Sequence, residues 1–222
     1  SPFAFTGNKF EFRMVASSAS VSGPNVVLNT IAAEALDEIA TRLEKAKNLH
    51  SEATAIVRET MKKHGHIIYN GNNYSDEWVQ EAAKRGLPNI PSTVEALEAI
   101  SNPKSIKLFN KYKVLAPKET RSRHEIYVEQ YAKQINIEAL TALDMARTLY
   151  IPAVINYISD LAGSVCVVTD AGGTASVQKT LLDKATVLLE SAQAKIDCLD
   201  GAVAKARKIS NLKKQAAFYR DE

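Results

Sequence analysis

The sequence predicts a mainly α-helical chain: one short β-strand near its start, then a multi-helix bundle that ends in long antiparallel helices. Three patterns carry that reading. Residues Lys9 to Val15 alternate, with Phe10, Phe12 and Met14 on one face and Lys9, Glu11 and Arg13 on the other, the period-two signature of a half-buried strand. From Val26 onward the apolar residues Val27, Leu28, Ile31, Ala32, Ala35, Leu36, Ile39 and Leu43 recur at helical spacing. Towards the end, Leu182, Leu189, Ile196 and Val203 stand seven apart, and Ala185, Ala192, Leu199 and Ala206 repeat with an offset of three. That is an a/d heptad stripe over four heptads. Its alanines allow close approach of a neighbouring helix, and an antiparallel partner in the same chain is expected in preference to a free coiled coil.

The elements follow in order. Ala16 to Gly23 is small and polar and reads as a loop, and Pro24 suits a first helical turn. The first helix bends near Asn48. A second, with Ala53, Ile56, Val57 and Met61, stops at Gly65. His66 to Tyr69 reads as a very short strand or an extended link, and Asn70-Gly71-Asn72-Asn73 is turn chemistry. Residues 66–116 form a section of short helices: Ser75 caps one ending near Gly86, Ser92 and Glu95 form a capping box for another, and Asn102-Pro103 opens a third through Tyr112. Pro117 opens a long helix that Pro152 should kink or break, with helical pattern resuming to about Val168. Asp170-Ala171-Gly172-Gly173 separates it from the last helix, about 174–209.

Composition bounds the function classes. The 222 residues are 45% apolar and 24% charged, with a net charge of +3, enough to bury a core and too nearly neutral to argue for nucleic acid or an anionic membrane. Cys166 and Cys198 lie in apolar, helix-like sequence and read as reduced, buried thiols of a cytoplasmic protein. The opening Ser1-Pro2-Phe3-Ala4-Phe5 lacks a basic start and an apolar run, so no signal peptide is expected. The longest apolar stretch, Ile151 to Val168, is interrupted by Asn156, Ser159 and Asp160, and no membrane span is expected. Lacking an initiator methionine, the chain reads as a piece of a longer protein.

Chemistry concentrates in Gly7-Asn8-Lys9-Phe10-Glu11-Phe12-Arg13. A Glu and an Arg two apart on a strand project from one face. The carboxylate can ligate a divalent cation and the guanidinium can hold an anionic substrate. On spacing alone, a same-face salt bridge on an exposed strand is the commoner use of such a pair.

The string Ser1-Pro2-Phe3-Ala4-Phe5-Thr6-Gly7-Asn8-Lys9-Phe10-Glu11-Phe12-Arg13 closely resembles the end of the catalytic domain of type III glutamine synthetases. So do Ser17-Ser18-Ala19-Ser20, Gly23-Pro24-Asn25, Asn70-Gly71-Asn72-Asn73-Tyr74-Ser75-Asp76-Glu77-Trp78, Glu129-Gln130-Tyr131 and Ile137-Glu138-Ala139-Leu140, which spread the likeness over most of the chain. Ala16 stands where that pattern leads one to expect Gly. The resemblance implies an ATP-dependent ligase that joins ammonia to glutamate through γ-glutamyl phosphate. It implies that Glu11 is a ligand to an active-site Mg²⁺ or Mn²⁺, that Arg13 meets substrate carboxylate or the transferring phosphate, and that Lys9 is peripheral. It implies residues 1–24 as the edge of the catalytic domain, 25–222 as a helical C-terminal domain, and a homo-oligomer built as a large ring. The family's remaining metal and nucleotide ligands would lie upstream of Ser1, so this chain alone is expected to be inactive.

Other candidates are weaker. His64-Gly65-His66 at a helix end reads as a solvated pair, and His50 and His124 as surface residues. Gly172-Gly173-Thr174 lacks the Lys-Ser/Thr of a phosphate loop and reads as a connector. Trp78 reads as a core anchor. Lys205, Arg207, Lys208, Lys213 and Lys214 suit the end of a helix dipole and solvent. Without the Glu11–Arg13 strand and its flanking strings, periodicity alone favours a stand-alone helical interaction module.

Overall fold

The computed structural model describes residues 3–13, 16 and 19–222. Its elements are two short strands, β1 (Phe3–Phe5) and β2 (Phe10–Phe12), followed by helices α1 (Ser22–Glu44), α2 (Leu49–His64), α3 (Asp76–Lys84), α4 (Thr93–Ser101), α5 (Pro103–Lys111), α6 (Pro117–Met145), α7 (Ile151–Asp170), α8 (Ser176–Ala206) and α9 (Leu212–Asp221). The mainly α architecture expected from periodicity is what the chain adopts. The chain divides into two compact units, one of Ser1–Pro91 with Glu98–Ser122, the other of Ser92–Leu97 with Arg123–Glu222.

In the first unit the bend foreseen at Asn48 is a full break. Asn48 is extended and caps α2, its side-chain oxygen accepting the Ser51 N–H at 2.9 Å. Arg42 of α1 then reaches across to Glu52 and Glu59 of α2, each at 2.7 Å. The link after α2 is a 3₁₀ turn, Gly65–Ile67, followed by extended backbone at Ile68, so the extended link expected over His66–Tyr69 is realised in its second half only. Asn102 caps α5 with Pro103 in its first turn, as the sequence indicates. Much of the α1 stripe faces outward: Ile31 is 50% and Leu36 65% exposed.

In the second unit, Val128 and Ala132 of α6 and Ala216 of α9 form one buried cluster, with Val94 and Leu97 packed against it. Leu143 of α6 and Ile196 and Val203 of α8 form another, with Leu140, Ile151 and Leu199 around it. The heptad stripe of α8 therefore faces inward as expected, against α6 and the antiparallel α7. The helix α9 lies beyond the expected elements: its short sequence is dominated by Lys213 and Lys214, and its buried contact is the small Ala216, which is fully buried.

Several local expectations need correction. The interruption expected at Pro152 is a widening of the helix just before it, with the regular α-helix resuming at Ile151. Residues Ala146–Tyr150 widen into a π-turn, and the Ile151 N–H bonds the Ala146 carbonyl five residues back, which accommodates the proline ring with its missing donor. Ser92 and Glu95 do not form a capping box: the Ser92 hydroxyl is buried without a hydrogen-bond partner, and Glu95 pairs with Arg220 at 3.1 Å. The capping glutamate is Glu119, which accepts the Ala116 N–H at 2.7 Å at the start of α6. Both cysteines are exposed free thiols, since they stand on α7 and α8 away from the inward stripe. His124 is buried, at 3% exposure, whereas His50, His64 and His66 are exposed as expected. The helical run Pro117–Asp170 contains an 18-residue window apolar enough to cross a membrane by length and composition, and 6% of that window is buried. The polar residues at 156, 159 and 160 thus interrupt the run less than the sequence suggested.

Candidate functional site

The Glu11–Arg13 pair sits on a hairpin. The strands pair antiparallel, Phe3 opposite Phe12, Ala4 opposite Glu11 and Phe5 opposite Phe10. The turn Thr6–Lys9 closes with the Thr6 N–H on the Lys9 carbonyl at 2.9 Å, and Gly7 takes φ +90° there, a region open to glycine at no steric cost. The β1 strand was not foreseen; the predicted strand at Lys9–Val15 is realised in part as β2, with Met14 and Val15 outside the described residues. Phe10 is 71% exposed. The aromatic face is therefore less covered than a half-buried strand implies, because among the described residues this sheet has two strands.

The alternation places Glu11 and Arg13 on one side, and they meet. Arg13 donates from Nε at 3.1 Å and from Nη2 at 2.8 Å to the same carboxylate oxygen, Glu11 Oε2. Their side chains are 51% and 42% exposed. A pair this open adds little stability; its effect is to hold a carboxylate and a guanidinium side by side at the hairpin surface. Lys9 lies beyond the strand, exposed.

Among the described residues no three His, Cys, Asp or Glu side chains come together to hold a metal ion. A hard divalent cation takes about six or more oxygen ligands, several of them from carboxylates or substrate. A lone Glu11 carboxylate fills at most one place in such a shell.

Sequence reasoning missed three polar clusters. Tyr112 donates to Asp37 at 2.8 Å and also to Glu34, while Lys111 reaches Glu34 at 2.6 Å and Asp37 at 3.1 Å, clamping α5 to α1. The pull of Lys111, then Tyr112, holds the Glu34 carboxyl below its ordinary value; Tyr112, then Lys111, does the same to Asp37. Burial first, and hydrogen bonding to Glu34 next, push the Tyr112 hydroxyl up to about 12. In the second cluster Arg85 ties the 3₁₀ turn to α3: it donates to the carbonyls of His66 and Ile68 at 3.2 and 2.9 Å and to Glu81 at 2.7 Å. Its guanidinium lies 5.7 Å from the ring centres of both Tyr69 and Trp78. Trp78 is half-buried and stands outside the buried core, short of the core anchor expected. The third joins Asn136, Arg207 and Tyr219. In the first and third clusters the partners are separated by 70 residues or more, so no local pattern announces them.

Residues 52–169, just over half of the chain, match the family model of the glutamine synthetase C-terminal domain. The chain belongs to that family. It is 46% identical over 168 residues to the type-3 glutamine synthetase of Dictyostelium discoideum, a match covering 74% of this chain and 23% of the relative. It is 36% identical over 172 residues to the glutamine synthetase of Butyrivibrio fibrisolvens, covering 74% of this chain and 24% of that one. The glutamine synthetase of Bacteroides fragilis (strain YCH46) matches at 30% over 231 residues, covering 100% of this chain and 32% of the relative. The chain thus spans between about a quarter and a third of the length of these curated relatives. The hairpin that bears Glu11 and Arg13 lies inside the Bacteroides fragilis match.

Proposed function

We propose that the protein to which this glutamine synthetase C-terminal domain belongs is a glutamate–ammonia ligase, consuming ATP to form glutamine through γ-glutamyl phosphate. The observation that carries this reading is the Glu11–Arg13 pair: a carboxylate and a guanidinium held 2.8 Å apart on one face of a surface hairpin, in a chain whose named relatives are glutamine synthetases. Glu11 supplies one oxygen ligand to a divalent cation, Mg²⁺ or Mn²⁺. The cation, when bound, neutralises the charge of the phosphate groups and draws electron density from the transferring one. Arg13 is the substrate-binding and catalytic group of this chain. Its fork leaves Glu11 to hold the glutamate carboxylate or the transferring phosphate, a task that suits a planar bidentate donor better than a point charge.

In this reading residues 1–24 are the edge of a catalytic domain and 25–222 a helical domain that supports assembly. The protein works in the cytoplasm as a large ring-shaped homo-oligomer. The outward apolar side chains of α7 and α8, among them Val167, Val177, Val187 and Leu188 at 58–69% exposed, support a surface that other protein covers. The direct test is a glutamine-forming assay on the full-length gene product beside the isolated chain. Turnover is expected from the former alone. Turnover by the isolated chain contradicts a partial site, and none from the full-length protein contradicts the ligase.

A further inference from the structure

The segment from Gly201 to Tyr219 carries five cations, Lys205, Arg207, Lys208, Lys213 and Lys214, and no acid. Arg207 stands just past the end of α8, at the edge of a groove of about 180 Å³ that is lined also by Ala132, Lys133 and Asn136 of α6 and by Gln215 and Tyr219 of α9. The hydrogen-bond accounting of this groove is one-sided. Asn136 Oδ1 accepts twice, from Arg207 Nε at 3.2 Å and from the Tyr219 hydroxyl at 3.0 Å. The Ala206 carbonyl accepts Gln215 Nε2 at 3.0 Å. Asn136 Oδ1 and the Ala206 carbonyl are thereby engaged, and the groove offers as donors both Nη groups of Arg207 and the amide NH₂ of Asn136.

The charge is one-sided too. Arg13, Arg42, Arg85, Arg147 and Arg220 each pair with a carboxylate. Among the described residues Arg207 has no carboxylate partner, a lack it shares with Arg58, Arg121 and Arg123; what sets it apart is the Asn136 oxygen on its Nε. A neutral amide fixes its Nε, so the guanidinium is oriented without being neutralised. The nearby acid is Glu129, 2.7 Å from Lys133 Nζ and one turn away on α6, outside the groove lining. Burial pushes the Tyr219 hydroxyl up, against a smaller opposing effect of Arg207, so it stays a protonated donor to Asn136.

We propose that this groove is a binding site for a small oxyanion of the phosphate class, anchored by the Arg207 fork, with the Asn136 amide as a further donor. A phosphate supplies paired oxygens that match the two Nη groups. The site is independent of Glu11 and Arg13, and its existence does not depend on the ligase reading.

Titration of the chain with inorganic phosphate at fixed ionic strength, followed by amide chemical shifts, tests it. Saturable binding is expected, with shifts centred on residues 133–136 and 207–219. Arg207→Gln should weaken it roughly tenfold or more, the scale of a lost charged hydrogen bond. Arg207→Lys should weaken it as well, because the charge stays and the fork goes. Arg58→Gln, which removes an exposed cation of α2, should leave it unchanged. Circular dichroism establishes that each variant is folded. Absent saturation in the unaltered chain overturns the site, as does unchanged affinity in the folded Arg207→Gln or Arg207→Lys chain. An equal loss in Arg58→Gln also overturns it, since that would reflect net charge and not a site.

Discussion

The rings of Tyr69 and Trp78 stack with centroids 4.1 Å apart and planes 25° from parallel, and the Tyr69 ring covers Gly71 so closely that a Cβ there would lie 2.4 Å from the tyrosine hydroxyl oxygen. A side chain in place of Gly71 in the Asn70-Gly71-Asn72-Asn73 turn thus requires the Tyr69 ring to shift. Gly71→Ala should push Tyr69 off Trp78 and cost about 1–3 kcal/mol, the usual scale of forced overpacking. Trp78 is the single tryptophan of the chain, so its fluorescence reports the change directly. A red-shifted emission with a lower urea midpoint is expected; unchanged emission would mean that the turn absorbs the methyl without moving Tyr69.

The Tyr112 clamp between α5 and α1 should depend on pH in a defined direction. Glu34 and Asp37 are held below their ordinary values by Lys111 and Tyr112. Their contribution is therefore present above the unfolded carboxylate values of about 4 and is lost as pH falls through the lowered ones. Tyr112 is shifted the other way, so its contribution holds below its ordinary value and fades as pH rises through about 12. Tyr112→Phe should lower the urea midpoint at pH 7, and the gap to the unaltered chain should close on acidification below pH 4. A gap constant down to pH 2 would show that the hydroxyl does not act through these carboxylates.

The α8 stripe separates two kinds of damage. Leu189 and Ile196 face inward, Ile196 at 9% exposure, and burying a side chain of this size stabilises by about 1.5–3 kcal/mol. Replacing both with Asp should lose helicity and lower melting. Leu188 faces outward at 58% exposure, and Leu188→Asp should keep helicity and, in the full-length protein, weaken assembly. Circular dichroism with size-exclusion chromatography distinguishes them. Intact helicity and melting in the double variant would place the stripe in solvent.

What was legible in the sequence was periodic or punctuated. The α8 heptads, the Asn102-Pro103 and Pro117 starts and the Gly172-Gly173 break each rest on a few neighbouring residues, and the folded chain uses them as read; Asn48, read as a bend, is instead a cap at a full break. The Pro152 π-turn was not legible, because whether a helix breaks or widens at proline depends on packing on both sides. The helix α9 hid behind its lysines, since the pattern that matters there is the small Ala216 against Val128 and Ala132. The burial of His124 and the exposure of Cys166 and Cys198 depend on where each falls around its helix. At the candidate site, the common face of Glu11 and Arg13 followed from strand alternation. The pairing of both Arg13 donors with a single oxygen did not, nor did the partner strand β1, whose three residues are too short to show a period.

The comparison of Glu11→Gln with Lys9→Gln in the full-length protein, by glutamine formation, tests the ligase reading most directly. Glu11→Gln removes a charged metal ligand and should lower turnover on the order of 10²-fold or more, the scale of losing a key electrostatic group. Lys9→Gln removes an exposed charge beside the strand and should leave turnover nearly intact. Arg13→Lys should fall on the side of Glu11→Gln, because a point charge does not replace a fork. Equal and mild losses at positions 9 and 11 would reduce the Glu11–Arg13 pair to a surface salt bridge and contradict its place in a catalytic site.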